Sequence, residues 1–73
     1  MLHVSKENLE LQRKNWSEVA KENGWYVEPF FVQLWVDGDG YITDSVSFKG
    51  MKSDYVVDLE DNLLTEGEDY ELI

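Results

Sequence analysis

The chain has 73 residues, with 16 acids against 6 bases and a formal net charge of −10. It contains no Cys, which removes a disulfide framework, a thiolate nucleophile and any Cys-based zinc site. Leu, Ile, Val and Phe supply 21 residues, enough for one small folded domain over residues 1–73 and too short a chain for two.

A small chain without staples fits a reducing compartment, so the expected location is the cytoplasm, or the host cytoplasm if the gene is carried by a phage. The opening Met1-Leu2-His3-Val4-Ser5-Lys6-Glu7 lacks the apolar stretch of a signal peptide. The most apolar window, Phe30 to Val36, is broken by Gln33 and falls far short of the ~20 residues of a membrane span. The expectation is a soluble protein. Its acidity would repel phosphate backbones and anionic membranes, so neither is expected as a direct partner.

The first predicted element is a helix from Ser5 to Asn23. Ser5 suits the N-cap, Glu7 favours the positive end of the dipole, and Asn23-Gly24 is a natural stop. At 100° per residue, Leu9, Trp16, Val19 and Ala20 gather on one face, with Lys6, Arg13-Lys14 and Lys21 beside it. Leu11 points elsewhere. Asn15-x-x-Glu18 marks a place where the helix would break and restart.

Pro29 resists helix, and Phe30 to Phe48 reads as a hairpin. Phe30, Val32, Leu34 and Val36 alternate with Phe31, Gln33 and Trp35, and Ile42, Val46 and Phe48 return in phase. A three-residue loop, Gly38-Asp39-Gly40, pairs Val36 with Ile42, Val32 with Val46 and Phe30 with Phe48, with Gly40 left-handed. One flaw remains. Asp44 would lie opposite Leu34 on the core face.

The tail admits two readings. Tyr55 to Leu59 and Glu68 to Ile73 alternate as strands, with Glu60-Asp61-Asn62 as a turn; alternatively, Val56, Leu59 and Leu63 form a helical stripe over 54–65. Strands are preferred. The fold class is then α+β, an N-terminal helix packed on a small antiparallel β-sheet made of the central hairpin and C-terminal strands.

Asp37-Gly38-Asp39-Gly40 resembles the middle of an EF-hand loop only locally. Aligning Gly40 with the loop glycine puts Trp35 and Val46 where the first and last ligands belong. The hairpin turn explains the same residues, and no metal is expected. The single His, His3, sits at an end expected to fray, and no catalytic residue, enzyme activity or cofactor is expected.

Charge is the strongest signal. Residues 1–25 hold four bases and four acids, whereas residues 26–73 hold Lys49, Lys52 and twelve acids. Such a concentration keeps a small protein soluble, yet it exceeds the magnitude of about 2–8 that solubility needs. Crowding would also raise carboxyl pKa values. Asp58, Glu60 and Asp61, then Glu66, Glu68, Asp69 and Glu71, form two clusters that a turn at Leu63-Leu64 would bring to one edge. With Asp54 they make the expected partner-binding acids. Phe31, Trp35 and Tyr41 would share one hairpin face, either covered by the tail or Trp25, or exposed as apolar anchors.

The expected function is therefore a small acidic binding or inhibitor protein. Its negative face would dock on a basic, nucleic-acid-binding surface of another protein as a DNA mimic, in the manner of phage anti-defence or nuclease-immunity proteins. The alternative is a non-inhibitory adaptor, or a self-associating module, that uses the aromatic hairpin face.

Overall fold

The computed structural model describes residues 1–25 and 28–73. Its elements are β1 (Leu2–Val4), α1 (Lys6–Glu22), β2 (Gln33–Val36), β3 (Ile42–Val46), β4 (Tyr55–Val57), β5 (Leu63–Leu64) and β6 (Tyr70–Leu72). The α+β class with an N-terminal helix holds.

The helix is closed at both ends as its sequence dictates. The Ser5 hydroxyl accepts from the Asn8 amide at 3.1 Å, the N-cap bond that satisfies an orphan donor. At the other end Gly24, at φ +73°, lets Gly24 N donate to Lys21 O and Trp25 N to Ala20 O, a Schellman stop. Lys6–Glu22 is one unbroken helix, so the interruption anticipated at Asn15 does not occur. Leu9 and Ala20 are buried and Trp16 is half-buried, but Val19 lies 38% exposed at the margin of the face.

Sheet order is β3-β2-β4-β5. The two hairpins are antiparallel, but β2 and β4 run parallel, with Gln33, Leu34 and Trp35 level with Tyr55, Val56 and Val57. The sheet is therefore mixed. Leu34, Val36 and Val56 face inward with Leu64 beside them, joining Val4, Leu9, Val32 and Tyr70 in the core. The strand reading of 54–65 is the one adopted.

The central turn forms as expected, with Gly40 at φ +86°, but the register beyond it differs. Val36 pairs with Ile42, then Trp35 pairs with Asp44 and Gln33 with Val46, leaving Thr43 as a bulge. The Thr43 hydroxyl donates to Trp35 O at 3.2 Å. The extra residue turns Asp44 away from the core and puts Ser45 opposite Leu34. Trp16 Nε1 donates to the Ser45 hydroxyl at 2.9 Å, and that hydroxyl meets Gln12 Oε1 at 2.8 Å. Strand and helix are thereby joined by a short polar chain. The bulge removes the buried carboxylate that a regular hairpin would have created.

The chain ends lie together. β1 pairs in parallel with β6, matching Leu2 with Tyr70, His3 with Glu71 and Val4 with Leu72. His3 is thus held in a strand and does not fray; Val4 is fully buried beneath the helix entry. Among the described residues, no helix is long and apolar enough to cross a membrane.

Candidate functional site

Two acidic turns stand at one end of the sheet, and they are built alike. In the first, Asp37 Oδ1 accepts from Asp39 N at 2.9 Å and Tyr41 N at 3.0 Å, while Gly40 N donates to Asp37 O at 3.0 Å. In the second, Asp58 Oδ1 accepts from Glu60 N and Asn62 N, each at 2.9 Å, while Asp61 N donates to Asp58 O at 3.1 Å. The first and fifth residues are also bonded in both turns, Asp37 N to Tyr41 O and Asp58 N to Asn62 O. The fourth position is left-handed in each, Gly40 at φ +86° and Asp61 at φ +66°. The opening Asp mimics a backbone acceptor, and the fourth residue must tolerate positive φ, which Gly and Asp do best.

Their juxtaposition follows from topology. β2 and β4 are adjacent and parallel, so the turns that follow them leave the sheet at the same end. Between them lies an open cleft of about 350 Å³, lined by Leu2, Val36 and Leu64 together with Asp37, Gly38, Asp58, Leu59 and Glu60. Asp58 is held below the usual carboxylate range, chiefly by the Asn62 backbone N–H, with the Asn62 side chain and the Glu60 amide assisting. Crowding was expected to raise such groups. At Asp58, hydrogen bonds to the ionised form outweigh the upward pull of desolvation.

The other anticipated site residues are dispersed. Asp54 belongs inside: its carboxylate receives Arg13 Nε at 3.2 and 3.0 Å, a further bond from an Arg13 terminal nitrogen, and Val32 N at 3.0 Å. Its side chain is only 14% exposed, so it ties helix to sheet and does not stand among the exposed acids as expected. Its hydrogen bonds with Arg13, chiefly, and its charge hold the guanidinium above its ordinary pKa. Glu66, Glu68 and Asp69 lie in the connection from β5 to β6, where Asp69 Oδ2 accepts from Thr65 N at 2.8 Å. Glu71 is on β6, paired with His3 Nε2 at 2.9 Å.

The expected turn at Leu63-Leu64 is instead strand β5, because Leu64 is level with Val56 on the buried face. The reversal falls at Asp58 to Asn62, and β6 leaves for β1. The first acid cluster therefore lies in the β4–β5 turn, and the second runs from the β5–β6 connection into β6 of the two-stranded sheet.

The aromatic anchors do not form one patch. Trp35 reaches Asp61, its Nε1 donating to Oδ1 at 2.7 Å. Phe31 lines a cavity with Trp25, Pro29, Phe30, Phe48 and Met51. Tyr41, 71% exposed, borders a separate cleft with His3, Asn8 and Ile73.

Sequence reasoning passed over Asp37, Asp39 and Leu59 as binding residues. The signal was present in the matching spacing of Asp37-x-x-Gly40 and Asp58-x-x-Asp61, hidden because only the first carries a glycine. Among the described residues, no group of three or more His, Asp or Glu is placed to hold a metal ion. Neither protein-family models nor curated proteins nor solved structures give a match to this chain.

Proposed function

We propose that the protein is a small acidic binding protein that docks on a basic, nucleic-acid-binding surface of a partner protein and occludes it. The carrying observation is the pair of side-by-side acidic turns. They place Asp37, Asp39, Asp58, Glu60 and Asp61 at one end of the sheet, and among the described residues none of these five has a basic side chain within ion-pair distance. A duplex likewise displays closely spaced negative charge on a fixed frame, about one per 1.7 Å of axis. Uncompensated like charge costs folding stability through self-repulsion, which a cationic partner would relieve. On this reading Glu66, Glu68, Asp69 and Glu71 extend the negative field, and Trp35 and Tyr41 supply aromatic surface at its margins. An inhibitor of the phage anti-defence or nuclease-immunity type, acting in the cytoplasm, fits this behaviour.

The test is affinity capture from a cell lysate on the immobilised protein, followed by a salt gradient and, separately, by elution with duplex DNA. The expected partner binds nucleic acid, elutes as ionic strength rises and is displaced by the duplex. A captured protein indifferent to both salt and DNA would favour the adaptor reading instead.

A further inference from the structure

We propose that the cleft between the twin turns receives an apolar side chain flanked by Lys or Arg on the partner protein. This rests on the function proposed above and names the part of the partner that is gripped. The cleft floor is apolar, formed by Leu2, Val36 and Leu64, and Leu59 stands 61% exposed on one wall. Both walls end in carboxylates, Asp37 on one side and Asp58 and Glu60 on the other, with Asp39 next in the Asp37 turn.

That combination selects its occupant by charge. A purely apolar segment would bury the floor but strip water from the flanking carboxylates without replacing it. A phosphate-bearing ligand would meet three negative groups. A second copy of this chain carries the same net charge of −10 and is repelled at long range. An apolar side chain between two cations satisfies both the floor and the walls. The volume, about 350 Å³, accommodates one such side chain with the stem of a neighbouring Lys or Arg.

The walls are also preorganised. Asp37 and Asp58 are each fixed by two backbone N–H bonds to Oδ1, so binding would order few new rotamers on this side.

The experiment titrates the full chain, labelled for amide NMR, with two peptides at low salt. The first is acetyl-Gly-Lys-Lys-Leu-Lys-Lys-Gly-amide, and the second carries Ser in place of Leu. The Leu peptide is expected to bind about tenfold more tightly, as burial of one leucine predicts, and to shift the amides of residues 36–38 and 58–60. Leu59→Ser, at an exposed site, should shrink that ratio to below about threefold. The double variant Asp39→Asn/Glu60→Gln should weaken both peptides and leave the ratio intact. Equal affinity for the two peptides overturns the proposal, as do shifts centred on residues 66–71; in either case salt-sensitive binding leaves the acidic-face reading standing. Binding of neither peptide at low salt rejects both. Shifts of the cleft amides with protein concentration alone would make the occupant a second copy and also overturn it.

Discussion

Trp35 and Asp61 are joined across the outer face of the sheet, the indole Nε1 donating to the Asp61 carboxylate at 2.7 Å. Trp35 on β2 is level with Val57 on β4, and Asp61 lies in the turn beyond β4. Val57 is only 6% exposed. The bond therefore fastens the second acidic turn to the sheet. Asp61 also occupies left-handed backbone at φ +66°. Asp61→Ala should lose the bond and strain the turn, costing about 2 kcal/mol, whereas Asp61→Asn should cost less than about 1 kcal/mol. Urea midpoints of the two variants check the order.

Gly40 is required twice. Its φ is +86°, and a Cβ there would lie 2.3 Å from His3 O, a backbone atom of β1. Gly24 and Gly67 also have positive φ but meet nothing within 4 Å. Gly24→Ala and Gly67→Ala should each cost about 1–2 kcal/mol. Gly40→Ala adds a backbone clash and should exceed about 3 kcal/mol, or prevent β1 from docking. Loss of amide-exchange protection at Leu2 to Val4 would mark the second outcome.

The helix, its caps and the central turn were legible because their signals are local: a hydroxyl at Ser5, glycines at 24 and 40, and apolar spacing in between. What the sequence concealed is non-local. The bulge at Thr43 is set by the cost of burying Asp44 against Leu34, which no propensity expresses. β1 is three residues long and forms only because Tyr70 to Leu72 returns beside it. The cleft depends on β2 and β4 being parallel neighbours, a relation that alternation along each strand cannot reveal. Asp54 sat in an acid-rich run and looked like surface; only its meeting with Arg13, 41 positions away, shows that it is structural.

That pairing gives a third prediction. Asp54→Asn leaves the half-buried Arg13 cation facing a neutral amide and weakens the bond to Val32 N. The expected loss is about 2–3 kcal/mol, below the full cost of breaking a deeply buried pair because the Arg13 side chain is 39% exposed. Binding to a captured partner, corrected for the folded fraction, should not change. A stability-neutral Asp54→Asn that weakens binding would return Asp54 to the partner surface.

A fourth concerns acid. The folded-state pKa of Asp58 is depressed below its ordinary 3.8, so its stabilising contribution is complete above that value. It is lost as pH falls through 3.8 toward the lower folded value. In Asp58→Asn this contribution is absent at every pH. Wild type should therefore lead the variant in thermal midpoint at neutral pH, and the lead should narrow below about pH 4. A gap that stays constant between neutral pH and about pH 2 would contradict an ionised, hydrogen-bonded Asp58.

The last prediction separates the acids that recognise from those that merely solubilise. Three sets are neutralised in turn, Asp to Asn and Glu to Gln: Asp39 and Glu60 on the twin turns, Glu66 and Glu68 in the β5–β6 connection, and Glu7, Glu10 and Glu18 on α1. All seven are exposed, so each substitution should move stability by less than about 0.5 kcal/mol. The helix acids share residues 1–25 with four bases, and their field is largely cancelled at its source. The turn acids have no such compensation, and the twin-turn geometry concentrates them at one end of the sheet. Association with the captured partner should slow most for the twin-turn set, less for Glu66 and Glu68, and hardly at all for the helix set, with dissociation little altered, because rim charges act on the encounter. Stopped-flow association at two ionic strengths checks the ranking. Equal slowing by all three sets would show that only net charge matters, and slowing by none would leave the exposed aromatic surface as the contact.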